Sequence, residues 1–153
     1  PASHELVADL IERGVEPEDV YSRIYGSAPL RKYKLLQAAL GTLEVDEEHG
    51  IAWMSVPDDA FKELGATAED LEGMVDVPRS IEGVSVGLLF RKAKTGAIKV
   101  SFRSSGPVDV NELAGHFGGG GHVKASGAMV DGPMDKAIKT VVEATRKAIA
   151  ATA

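Results

Sequence analysis

The chain has 153 residues, enough for one domain of ordinary size or one domain with an appendage. Its 17 basic and 23 acidic side chains leave a formal charge of −6, which excludes a polycation that coats nucleic acid indiscriminately; any phosphate contact must be local. It has no cysteine, and therefore no disulfide framework, thiolate metal site or thiol nucleophile, and no apolar run or leader of the kind that crosses a membrane, so a cytoplasmic location without a membrane partner is expected.

The sequence starts at Pro1 without a methionine and enters a helical pattern almost at once, as expected of a fragment of a longer protein. Ser3 is placed as an N-cap, Leu6, Val7, Leu10 and Ile11 repeat at helical spacing, and Gly14 stops the helix. Pro17, Glu18 and Asp19 open a second helix carrying Val20, Tyr21 and Ile24. Pro29 opens a third, with Leu30, Tyr33, Leu36, Ala39 and Leu40 on one side and Gly41 near its end. Residues 1–41 read as a helical connector with little core of its own.

The period then changes. Thr42 to Asp46 and Ile51 to Val56 read as strands around a polar turn, with Trp53 in the core. Helical stretches follow, from Pro57 to about Leu64 and from Thr67 to about Val75, the second opened by a capping box of Thr67 and Asp70. Val84, Val86, Leu88 and Phe90 alternate, as do Ile98, Val100 and Phe102 across the turn Lys94-Thr95-Gly96. That is a hairpin with one apolar face; the other face of its second strand carries Lys99, Ser101 and Arg103. Asp109 is an N-cap with Val108 and Leu113 as its staple, for a short helix ending at Phe117 with Gly118 at C′. Ala125 to Val130 reads as the last strand, and Pro133 starts a helix whose apolar face is Met134, Ile138, Val141, Val142, Thr145 and Ile149. The expected fold is α/β, a mixed β-sheet flanked by helices over residues 42–153, preceded by the connector.

The four glycines Gly118 to Gly121, directly before His122, are costly to order and call for a reason. No Gly-Lys-Ser or Gly-Lys-Thr follows them, which excludes a P-loop, and they follow a helix rather than open one, which excludes a dinucleotide fingerprint. Ser126 lies in Lys124-Ala125-Ser126-Gly127, not in a nucleophile elbow. A tight turn is the structural reading. The functional one is an anion or nucleotide cradle, in which successive amides of Gly119, Gly120 and Gly121 converge on phosphate or ribose oxygens and His122 donates or stacks. Arg103, ending a strand before Ser104-Ser105-Gly106, is either a solvated edge cation or a bidentate phosphate grip. His116 and His122 lack a third partner for a metal, and His4 and His49 read as surface residues; no cofactor is expected within this chain.

Together, Val100-Ser101-Phe102-Arg103-Ser104, Val108-Asp109-Val110 and the run from Phe117 through Gly118–Gly121, His122, Val123, Lys124, Ala125 and Ser126 to Gly127 resemble the C-terminal substrate-binding domain of DHH-family phosphoesterases, and within them the nanoRNase type. The resemblance covers roughly the whole chain. It implies the nucleotide-binding half of a two-domain, metal-dependent phosphoesterase or 5′/3′ exonuclease acting on short RNA or DNA, on pNpN or on phosphoadenosine phosphate (pAp). It implies that Arg103 and Gly119 to His122 contact the nucleotide, with Ser104, Lys124 and Ser126 as adjacent polar candidates. The Asp-His-His motif that names the family does not occur here, so the divalent metal, manganese by the resemblance, and the hydrolytic step are expected on an N-terminal catalytic domain, and this chain alone is expected to be inactive. Expected partners are that domain, a nucleotide or short oligonucleotide, and a second copy in a homodimer. The alternatives are a non-catalytic nucleic-acid-binding module, as in alanyl-tRNA synthetases and RecJ-like proteins, or a structural oligomerisation domain.

Overall fold

The structure, a computed structural model, describes residues 1–152. Helix α1 spans Ala2–Glu12, α2 Pro17–Ile24 and α3 Leu30–Leu40. Ser3 does not cap α1. The Pro1 carbonyl already accepts from the amides of His4 and Glu5, at 2.9 and 3.1 Å, which makes Pro1 the N-cap and puts Ser3 inside the first turn. The other end closes as expected: Gly14 has φ +91°, and the amides of Gly14 and Val15 return to the carbonyls of Ile11 and Leu10. Neither α1 nor α2 buries a residue. Helix α3 does, with part of the expected stripe. Ala39 is fully buried and Leu36 packs on the same cluster, joined by fully buried Leu35, while Leu30, Tyr33 and Leu40 stay exposed.

Six strands form one sheet: β1 (Glu44–Asp46), β2 (Ile51–Val56), β3 (Val86–Lys92), β4 (Ile98–Ser104), β5 (Gly120–His122) and β6 (Ala125–Val130), in the order β1-β2-β3-β4-β6-β5. Only β2 and β3 are parallel; the other neighbours are antiparallel. The chain crosses from β2 to β3 through α4 (Asp58–Glu63), a 3₁₀ turn (Glu69–Leu71) and α5 (Asp76–Arg79). Within the span of the single helix expected from Thr67 to Val75 only the 3₁₀ turn forms, and α5 begins just after it. Gly73, at φ +80°, leaves the helical region. The Asp70 carboxylate still reaches back to the Thr67 amide at 2.8 Å, the half of the capping box that forms, and also takes Arg31 Nε of α3 at 2.9 Å. These hydrogen bonds, the Thr67 amide foremost, hold the Asp70 carboxyl below its ordinary value.

One face of the sheet is closed. Phe90, Phe102, Leu88, Val86 and Val100 pack there against α6 (Val110–Gly115) and α7 (Met134–Ala150), through Val110, Leu113, Ala137 and Val141. Trp53 belongs to this core as expected; its indole N–H is buried with no hydrogen-bond partner among the described residues. Asp109 caps α6, accepting from the amides of Asn111 and Glu112 at 2.8 and 3.1 Å. The opposite face is only half covered: Met54, Val56 and Leu89 pack against Leu35, Ala39, Met74 and Val75. Strand β3 is therefore buried on both sides, which its alternating residues do not announce. At the β1 end, Asp46 accepts from His49 Nδ1 at 3.0 Å and from Arg146 Nε of α7 at 2.7 Å, clasping the edge strand to the last helix.

Candidate functional site

Strand register decides which side chains can act together. Directly paired residues of adjacent strands project from the same face. Gly87 of β3 pairs with Arg103 of β4, Arg103 with Ala125 of β6, and Ala125 with His122 of β5. Arg103 and His122, separated along the chain by a loop and a helix, thus stand in one row on the half-covered face, two strand spacings apart, about 10 Å. Only a methyl group lies between them. The neighbouring row is Ser101, Gly127 and Gly120, so the floor beside the pair is almost bare backbone.

Arg103 is held rather than loose. Its Nη1 donates to the carbonyl of Phe102 at 3.0 Å, and its Nε lies 3.9 Å from Asp76 of α5. Helix α5 can come this close because β3 carries glycine at position 87. A Cβ there would sit 2.5 Å from the Arg79 amide nitrogen. Neither Asp76 nor Gly87 figures among the residues expected to shape the site, although a glycine inside an apolar strand does signal close backbone approach.

The glycine run differs from the expected cradle. Residues 120–122 are the edge strand β5, in which successive amides point in opposite directions and do not converge. The amide of Gly118 donates to Gly115 O at 3.0 Å, that of Gly119 to Ala114 O at 2.9 Å, and that of Gly121 to Asn111 Oδ1 at 2.8 Å. Packing explains two of these glycines. A Cβ on Gly119 would overlap the carbonyl oxygen of Gly127, and one on Gly121 would lie 2.6 Å from Ala125 O. Helix α6 ends at Gly115 with His116 as its C-cap, two residues before the expected Phe117, and Gly118, at φ +69°, turns the chain just beyond it rather than at C′. A Cβ on Gly120 would meet only Asn111 Oδ1, at an ordinary contact distance of 3.5 Å, beside exposed His122. Asn111 gives no signal in the sequence; its role depends on a contact ten residues away.

The remaining candidates lie elsewhere. Ser104 and Ser126 project from the closed face and are buried, their hydroxyls donating to the carbonyls of Val108 at 2.8 Å and Val110 at 2.5 Å, so they anchor α6 to the sheet. Lys124, in the β5–β6 turn, donates to the carbonyls of Gly106 and Val108 and ties that turn to the loop before α6. His116 follows α6 and borders a separate cleft of about 540 Å³ between α6 and α7, away from His122. Among the described residues no three His, Asp or Glu side chains gather to hold a metal. A cleft of about 420 Å³ opens beside Arg103, floored by Arg91, Lys99 and Ser101 and walled by residues 68–73.

The DHHA1 domain family model matches residues 51–151, from the start of β2 through the last turn of α7. The chain belongs to the DHHA1 domain family. The DHHA1 domain here is 32% identical over 148 residues to the bifunctional oligoribonuclease and PAP phosphatase NrnA of Thermus thermophilus, covering 96% of this chain and 44% of that protein. It is 30% identical over 126 residues to the NrnA of Bacillus subtilis, covering 82% of this chain and 39% of that one. The chain thus spans less than half the length of these relatives. Among solved structures, an exopolyphosphatase-related protein of Bacteroides fragilis superposes over 97% of this chain and 44% of its own, with a TM-score of 0.89 at 28% identity. A pGpG-specific phosphodiesterase, PggH of Vibrio cholerae, shares the fold over 80% of this chain and 40% of its own, with a TM-score of 0.52 at 12% identity. No helix among the described residues is long and apolar enough to cross a membrane.

Proposed function

We propose that this DHHA1 domain is the substrate-gripping half of a metal-dependent phosphoesterase that degrades short RNA or DNA, pNpN or pAp, and that a terminal nucleotide lies on the bare strip between Arg103 and His122. The observation that carries the reading is the register: a guanidinium and an imidazole project from one row of one face, with alanine and glycine between them. A planar guanidinium steadied by Asp76 grips a phosphate through two N–H groups, and an exposed imidazole about 10 Å away stacks on a base or donates to the sugar-phosphate. The glycines serve this arrangement indirectly. They seat β5 tightly on β6, and Gly120 leaves the floor clear. The names of the relatives support the reading, since both of their activities act on phosphoesters of nucleotides.

Binding and chemistry are divided in this reading. The DHHA1 domain positions the scissile phosphate, and the metal-dependent step, with manganese, belongs to a catalytic domain in the remaining length of such proteins. Helices α1 and α2, with Leu6, Val7, Leu10, Tyr21 and Ile24 exposed, suit a connector that packs against that domain. Alone, the DHHA1 domain binds and does not hydrolyse. The test is nucleotide titration of Arg103→Ala and His122→Ala. Each is expected to weaken binding by at least about tenfold, the loss of a charge-assisted contact of about 1.5–3 kcal/mol, with the melting temperature held. Parent-like affinity in both would contradict the reading.

A further inference from the structure

The half-covered face carries a second feature that the Arg103–His122 pair does not use. Arg91 of β3 and Lys99 of β4 are directly paired across an antiparallel ladder, so their side chains rise side by side. Like charges directly opposite destabilise a sheet. No carboxylate lies within 4 Å of either cation among the described residues, so neither is neutralised by an ion pair. Both floor the cleft that Arg103 borders. Lys99, Ser101 and Arg103 alternate along β4 and point the same way, which puts Lys99 about 13 Å along the strand from Arg103. The opposite wall holds Glu69 and Glu72, which only accept hydrogen bonds. A phosphate entering the cleft is therefore drawn to the strand side, and a base with N–H donors to the wall.

We propose that this cleft is a second nucleotide subsite, in which Arg91 and Lys99 hold the phosphate linking the terminal nucleotide to the next one. The proposal deepens the nucleotide reading of Arg103 and His122 and rests on it. It also explains why a strained cation pair occupies the floor: the pair is relieved only when an anion bridges it.

The experiment is a chemical-shift titration of the parent, Arg91→Ala, Lys99→Met and Arg103→Ala with two probes, AMP and the dinucleotide pApA. The parent should bind pApA more tightly than AMP. Arg91→Ala and Lys99→Met should each weaken pApA at least about fivefold, leave AMP within about twofold, and flatten the salt dependence of pApA binding by roughly 0.7 for each phosphate no longer neutralised. Because each variant removes a repulsion, its melting temperature should equal or exceed the parent's, which a merely structural pair would not show. Variants that bind pApA like the parent, or that weaken AMP and pApA equally, would overturn the subsite. Arg103→Ala separates the two readings. Parent-like AMP binding in that variant would sink the terminal-nucleotide site, whereas weakening confined to pApA in Lys99→Met speaks for the subsite alone.

Discussion

The two faces of the sheet are made from the same strands and put to opposite uses. On the closed face every position along β4 is buried, from Ile98 through Val100 and Phe102 to Ser104, under α6 and α7. On the other face the same strand shows Lys99, Ser101 and Arg103, and the cover of α3 to α5 stops at β3 and the edge of β4. Stability resides where side chains are large and dry. The proposed binding surface is where side chains are small or charged and the backbone lies bare. Strand alternation lets one segment serve both ends, because substitutions on one face leave the other untouched.

Substitutions can test that separation, beginning with the largest effect. Phe102→Ala removes a fully buried ring from the closed face and should cost about 3–5 kcal/mol, read as a lowered melting temperature in calorimetry, whereas its neighbour Arg103→Ala should leave the melt unchanged while weakening nucleotide binding. Next come the glycines. Gly119→Ala drives a methyl onto Gly127 O and should destabilise by about 1–3 kcal/mol. Gly120→Ala meets only Asn111 Oδ1, at an ordinary 3.5 Å, and should keep the fold while reducing affinity, because its methyl projects beside His122. If Gly120→Ala melts low and Gly119→Ala does not, the assignment of roles within the run is reversed. The smallest effect is the clasp at β1. Hydrogen bonding from His49, first, and from Arg146 outweighs burial and holds Asp46 down from 3.8 to about 2. A carboxyl depressed on folding stabilises above its unfolded value and ceases to as the pH falls through its folded one. Asp46→Asn should therefore flatten the pH dependence of stability between about pH 4 and 2, seen in acid-unfolding curves by circular dichroism, and should not change nucleotide binding at neutral pH.

The sequence announces some elements and conceals others, for physical reasons. The β3–β4 hairpin, the Asp109 cap and α7 rest on local or periodic signals, and each forms. Strand β5 has no such signal. Two glycines and a histidine carry no apolar alternation, and the strand exists because Gly119 and Gly121 let it lie close on β6. The buried side of α3 is only partly legible in sequence: Leu36 and Ala39 pack as expected, but which of the other apolar residues joins them is settled by the sheet, which takes Leu35 and leaves Leu30, Tyr33 and Leu40 exposed. At the site, Arg103 and His122 stand out by type and setting. Their membership of one row does not, since it depends on two strand pairings. Ser104 and Ser126 look equivalent to their neighbours in sequence, yet one residue of shift along a strand puts them on the closed face.

The central claim is that a nucleotide occupies the open face between Arg103 and His122. The most direct test is to titrate the isotope-labelled domain with pApA and map the amide shifts. The account predicts saturable changes concentrated at Arg103, Gly120, His122, Ala125 and Gly127, with the α6–α7 side silent. Changes confined to the cleft around His116 and Lys147, or none at all, would contradict it.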